Sequence, residues 1–286
     1  MLNQGTEVPL IQRLPSPPLR PFVSLLWASG DSDQGAPSED ERERVLPTGA
    51  MHLVFRLSAD PLKLFEDAAA PSGYDGGHAV VGGARASCYV RRVSPNSGSV
   101  GAMLQPGAAL PLFGVSAAEL SGRHTRLEEL WGPAAEAIRE RLANLRSAEA
   151  RLDTFESVLL QRVPRVRGLH PTIAAALERL SVGSDVRGIV NDSGYSHRHF
   201  IALFEGAVGL TPKRYARVLR FRAALARLAA EPRVTLAELA LAAGYGDQAH
   251  FNRDFREMAG ISPTEYRGAA PRFPHHVACT KSASGR

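Results

Sequence analysis

Two hydrophobic rhythms divide this chain. Over the first 115 residues, apolar positions come in short runs separated by glycine, proline and polar residues. Residues 51–57, 79–81 and 87–93 predict strands, bounded by the turn-forming stretches 71–77 and 95–98. The acidic, polar stretch 31–43 predicts an exposed loop. After Val115 the spacing becomes helical. Ser116 predicts the cap of a short helix over 117–120. Leu127, Leu130, Trp131, Ala134, Ile138, Leu142 and Leu145 lie mostly on one face of a helix predicted over 127–145. Phe155, Val158 and Leu159 continue the pattern, and Pro164 and Gly168 mark a linker. From Pro171 every segment reads as helix. The tail after Gly268 is basic, small and polar without periodicity, and is expected to be disordered. Four stretches follow: a β-rich sensor or dimerisation domain over 1–115, for which strand and turn content suggest a barrel; a helical extension and linker over 116–169; an all-helical domain over 170–267; and a disordered basic tail over 268–286. The fold class expected is α+β.

The helical domain contains an internal repeat. Phe200 and Phe251, Phe204 and Phe255, Gly209 and Gly260, Pro212 and Pro263, and Tyr215 and Tyr266 form five like pairs at one offset of 51 residues. Five pairs in one register mark a duplicated structural unit. A short apolar helix precedes each copy, with Ile189 and Val190 inward in the first and Leu239 and Ala240 inward in the second. Thr235 and Glu238 have the spacing of a capping box. Gly194 and Gly244 suit the left-handed position that ends a helix. A new helix then starts at Ser196 and near Asp247. Helix, glycine-containing turn, helix is the helix-turn-helix arrangement, whose second helix enters a DNA major groove.

Spacing divides the second helices into faces. Phe200, Leu203, Phe204 and Ala207 pack in one copy, and Phe251, Phe255 and Met258 in the other. Arg198, Ile201, Ala202 and Glu205 turn away in the first copy; Gln248, Ala249, Asn252, Arg253 and Arg256 turn away in the second. Arginine pairs with guanine edges and Gln or Asn with adenine edges, so the second set suits base recognition better than the first. Between the copies, Thr211 and Pro212 predict the start of a helix reaching Glu231, with Val218, Phe221, Leu225 and Leu228 as its apolar stripe. Lys213, Arg217 and Arg220 on this helix are candidate phosphate contacts. Charge supports the reading. The net charge is +5, and residues 170–267 hold 13 Lys/Arg against 10 Asp/Glu, with 3 against none thereafter. An excess of this sign favours a polyanionic partner.

Residues 170–267 resemble the DNA-binding domain of the AraC/XylS family of bacterial transcription regulators. The second copy with its lead-in, LAELALAAGYGDQAHFNRDFREMAGISPTEYR, carries the resemblance most specifically. By that family's pattern Val190 stands where alanine is usual, Ala202 where an arginine often contacts DNA, and Gly246 where a serine usually caps the helix. The resemblance implies a DNA-contacting surface on Arg198, Ile201, Ala202, Gln248, Ala249, His250 and Arg253, to which the face analysis adds Asn252. The stretches VLPTGAMHLVFRL and LQPGAALPLFGVSAAEL resemble the sensor-type domain of a subgroup of these regulators. That implies a cupin-like β-rich domain that binds a small-molecule effector or forms a homodimer; RNA polymerase is a further candidate partner, and the sign of regulation, activator or repressor, stays open.

Other chemistries are weakly signalled. No Gly-x-x-x-x-Gly-Lys-Ser/Thr loop is present and no Gly-x-Gly-x-x-Gly stands on a strand-to-helix turn. Two cysteines, Cys88 and Cys279, make neither a disulfide framework nor a zinc site. Cys88 reads as a small strand side chain rather than a nucleophile. His197 and His199 diverge around a helix. His52, His78 and His124 would approach one another in a cupin-like barrel, but no His-x-His pair occurs there, and hydrogen-bonded histidine is the expectation. No metal, no cofactor and no enzymatic activity are expected. No run has the length of a membrane span, and the first 19 residues lack the charge and apolar core of a signal peptide, so a cytoplasmic location is expected. The alternative reading is an N-terminal ligand- or metal-binding module with DNA binding secondary.

Overall fold

Alternation builds the first unit. In the strand Met51–Arg56, Met51, Leu53 and Phe55 are buried while His52 and Val54 on the other face are half-buried. A strand with one tightly covered face and one looser face belongs between two unlike layers. The computed structural model describes residues 10–29, 41–93, 98–163, 169–231 and 233–279, and it shows those layers.

The strands are β1 (Leu10–Arg13), β2 (Val23–Ser29), β3 (Arg42–Val45), β4 (Met51–Arg56), β5 (Lys63–Phe65), β6 (Tyr74–Asp75), β7 (Ala79–Gly82), β8 (Tyr89–Arg92) and β9 (Ser99–Leu104). The short helices α1 (Ala109–Phe113) and α2 (Ala117–Leu120) follow, then β10 (His124–Arg126), α3 (Glu128–Trp131), α4 (Ala134–Ala143) and α5 (Ala148–Arg162). The second unit holds α6 (Pro171–Ser181), α7 (Val186–Asp192), α8 (His197–Val208), α9 (Pro212–Ala230), α10 (Leu236–Ala242), α11 (Gln248–Ala259) and α12 (Pro263–Ala269), and β11 (His276–Ala278) comes last.

The strands form two antiparallel sheets, in the orders β1-β2-β9-β4-β7-β10 and β11-β3-β8-β5-β6. The sheets face each other, with Leu62, Leu64 and Tyr89 against Val54 and Val80. They do not close into a barrel, which corrects that expectation. The outer face of the larger sheet is sealed by α5, where Phe55 meets Phe155 edge-on at 5.7 Å.

Further differences from the sequence reading have physical causes. The helix expected over 127–145 is two helices, because Gly132 takes φ 59° and Pro133 follows it. The β-rich unit does not end at 115: β10 pairs with β7. Nor is the tail wholly disordered. β11 pairs antiparallel with β3, and Val277 is buried. Three residues are too few to display a period, and their partner lies more than 230 positions away. The expected linker residues Pro164 and Gly168, most of the loop over 31–43, most of the turn over 95–98 and residues 280–286 lie outside the described residues.

The two units share one continuous apolar core. They also meet through backbone at repeat-equivalent points. Gly107 N donates to Ala207 O at 2.7 Å near the end of α8, and Cys88 N donates to Met258 O at 2.7 Å near the end of α11. Ala207 and Met258 are themselves related by the repeat offset. The first unit therefore holds both second helices of the repeat by the same carbonyl.

Candidate nucleic-acid interface

Short polar side chains start the two helices at matching positions. Ser196 Oγ accepts from His199 N at 3.3 Å, and Asp247 Oδ1 accepts from His250 N at 2.6 Å. Asp247 thus supplies the cap that Gly246 lacks, one position later. Gly194 and Gly244 end the preceding helices at φ 74° and 77°, the backbone region where glycine carries no steric penalty. The capping box of Thr235 and Glu238 is formed. Each second helix, α8 and α11, runs for 12 residues. Phe200, Phe204 and Val208 are buried in the first, and Phe251, Phe255 and Met258 in the second.

The opposite faces reach solvent. Arg198 and Ala202 are exposed on α8, with Ile201 half-buried. Gln248, Ala249, Arg253 and Arg256 are exposed on α11, and His250 and Asn252 are half-buried. Ala249, Asn252, Arg253, Arg256 and Glu257 line a shallow hollow of about 570 Å³. Asn252 Oδ1 is buried there without a hydrogen-bond partner. His250 stands edge-on to Tyr245, with ring centroids 5.3 Å apart. A larger cleft of about 1390 Å³ lies between the two helix-turn-helix units; Arg187, Asn191, His197, Ile201, Lys213 and Arg220 are among its lining.

The three candidate cations of α9 separate. Lys213 is exposed at the cleft. Arg220 is half-buried, its guanidinium 5.2 Å from the Tyr245 ring. Arg217 points inward instead. Its Nε donates to Asp254 Oδ1 at 2.9 Å and its Nη2 to Glu257 Oε2 at 2.8 Å. Tyr245 Oη donates to the other Asp254 oxygen at 3.0 Å. The hydrogen bond to Glu257, and that to Asp254, push the Arg217 pKa up. Burial and the Asp254 charge push the Tyr245 phenol up as well, so it stays a donor. Asp254 is 5% exposed and joins α9, the turn before α11 and α11 itself. Sequence reasoning missed it. The available signal was its place between Phe251 and Phe255, on the face that packs.

The other singled-out groups are accounted for. His52 and His124 do meet, with ring centroids 6.1 Å apart. His78 lies elsewhere, its Nε2 2.9 Å from Ala59 O. Among the described residues no group of three His, Cys, Asp or Glu side chains is placed to hold a metal ion. Cys88 and Cys279 are free, and burial pushes both thiols up. No helix among the described residues is long and apolar enough to cross a membrane.

Residues 189–269 match the family described as a helix-turn-helix domain, and residues 11–126 match a domain of unknown function, DUF6597. The probable transcriptional regulator LumQ of Photobacterium leiognathi is 42% identical over 69 residues, covering 24% of this chain and 27% of LumQ. An uncharacterized HTH-type transcriptional regulator of Haemophilus influenzae is 27% identical over 99 residues, covering 35% of this chain and 33% of that protein. The chain thus spans about a quarter to a third of these relatives. Among solved structures, ToxT from Vibrio cholerae aligns over 91% of this chain and 98% of its own, at 10% identity and a TM-score of 0.43.

These features define a two-unit protein in which a β-rich N-terminal unit carries a duplicated helix-turn-helix domain. Within the second unit, the matched helix-turn-helix domain spans residues 189–269.

Proposed function

We propose that this chain is a sequence-specific DNA-binding transcription regulator of bacterial type, acting from the cytoplasm. It places α8 and α11 in successive major grooves of one duplex. The observation that carries the reading is the pair of capped helices at one repeat offset, each burying its aromatic face and presenting the other to solvent. In this reading Gln248, Asn252 and Arg253 read base edges, with Ala249 and His250 beside them. Arg198 is the polar reader of the first helix, and Ile201 and Ala202 meet thymine methyls or sugar. Lys213 and Arg220 contact phosphate. Arg217 drops out of the phosphate set, because its guanidinium serves Asp254 and Glu257. The N-terminal unit, held against both recognition helices, modulates the activity by binding a small effector or a second copy of the chain. RNA polymerase is the partner an activator of this kind would engage. In this role the chain binds and does not catalyse.

Fluorescence anisotropy of a labelled random-sequence duplex, titrated with the full chain, tests the reading. Binding in the range of roughly 10⁻⁴ to 10⁻⁶ M near physiological salt, weakening steeply as salt rises, is expected of any such protein. No binding at low salt would overturn it.

A further inference from the structure

Each recognition helix follows a turn with a tyrosine directly after the glycine: Tyr195 after Gly194 and Tyr245 after Gly244. The two tyrosines stand in unlike surroundings. Tyr195 is 37% exposed, and its ring lies against His170 and His199, with centroids 6.1 and 4.8 Å apart. Tyr245 is 3% exposed. Where α8 carries the half-buried Leu203, α11 carries the buried Asp254, whose carboxylate accepts from Tyr245 Oη at 3.0 Å. That bond fixes the phenol inward, and Arg217 of α9 holds the same carboxylate from the other side.

The buried ring is a meeting point. Arg220 of α9 brings its guanidinium to 5.2 Å from the ring centre. His250 stands edge-on to the ring at 5.3 Å, with the two planes at 89°. Both separations are those at which a ring attracts a cation or the edge of another ring. The Arg220 Nε is buried without a hydrogen-bond partner, so the ring orients this guanidinium. Arg220 lines the cleft between the two helix-turn-helix units, and His250 lies in the first turn of α11. One ring therefore touches a side chain assigned to phosphate and a side chain placed among the base readers.

We infer that Tyr245 is a positioning residue for DNA recognition. It holds Arg220 toward the phosphates and His250 toward the base edges, so the backbone contact in the cleft and base reading by α11 are made together. The inference rests on the regulator reading proposed above, in which Arg220 and His250 meet DNA. Ring, carboxylate and two arginines of α9 lock the second recognition helix to the connector. The first helix lacks this lock, because Leu203 offers Tyr195 no acceptor. Specificity is accordingly concentrated in α11.

The test is a pair of double-mutant cycles on the full chain, read as duplex affinity by fluorescence anisotropy. On a random-sequence duplex, Tyr245→Leu and Arg220→Met should each lower the salt dependence by about one charge, and together by about one rather than two. On a duplex selected from a random pool, Tyr245→Leu and His250→Ala should be coupled at least about threefold in the ratio of specific to non-specific affinity. Tyr245→Phe keeps the ring and should restore the salt dependence. A tyrosine that only stabilised the fold would lower the melting temperature and leave the salt dependence of the folded chain unchanged. That result, or additive losses in either cycle, would overturn the inference. Should Tyr245→Leu not fold, the cycle of Arg220→Met with His250→Ala carries the test on the unaltered ring: coupling supports the inference and additivity overturns it. Duplex binding with additive losses refutes this role and leaves the regulator reading standing, whereas a chain that binds no duplex refutes both.

Discussion

Arg253 and Gln248 stand exposed on α11, while Arg217 on the neighbouring helix is taken up by Asp254 and Glu257. The difference separates side chains available to a ligand from side chains that hold the domain together. Arg253→Ala should cost about 1–3 kcal/mol on a specific site and lower the ratio of specific to non-specific binding; an unchanged ratio would contradict the assignment. Lys213→Ala should weaken all duplexes alike and reduce the salt dependence by about one charge. Asp254→Asn should instead lower stability, by about 2–3 kcal/mol in urea unfolding, because it leaves Arg217 and Tyr245 short of their acceptor. A loss under about half a kcal/mol would mean that the cluster is not needed for the fold. Histidines set the acid limit. Burial pushes His52 down to about 4, His124 down to about 2 and His275 down to about 4, each from 6.5. The unfolded chain takes up these protons near pH 6.5 and the folded chain refuses them. Stability is therefore full above that pH and falls as pH drops toward 4, by up to about 1.4 kcal/mol per unit for each histidine. Urea midpoints at pH 5 and 7.5 check this, and His52→Gln should flatten the slope if it folds.

Glycines show how the elements are joined. Gly194 and Gly209 both have positive φ, 74° and 85°. Nothing lies within 4 Å of a Cβ at Gly194, whereas one at Gly209 would stand 3.0 Å from Ala117 O in the other unit. Gly194→Ala should cost only its backbone strain, about 1–2 kcal/mol. Gly209→Ala should cost more and also loosen α8 from α2. Equal losses in thermal unfolding would refute the contact. Much of this scale was legible in the sequence. The repeat offset located both helix pairs, and Ser196, Thr211, Thr235 and Pro171 marked helix starts that the structure keeps. What was not legible depends on distant partners. Asp254 reads as one more polar residue of a recognition helix until Arg217 is placed beside it. β11 has no period of its own and exists because β3 offers it an edge. The break at Gly132–Pro133 was readable, but the apolar spacing across it masked the signal.

At the scale of the whole molecule, the shared core and the two backbone bonds to Ala207 O and Met258 O make the N-terminal unit a brace for both recognition helices. Between them α9 runs 19 residues, about 28 Å at the helical rise. A connector of that length suits two helices that enter successive major grooves on one face of DNA, about 34 Å apart. The sequence already implied the two readers. Its limit was the bracing, since Cys88 and Gly107 carry no motif and act through their amides. The most direct test of the central claim is selection of bound duplexes from a random pool by the purified full chain. Two conserved patches about one helical turn apart are the predicted result. No enrichment, or a single short patch, would contradict a regulator that reads DNA with both helices.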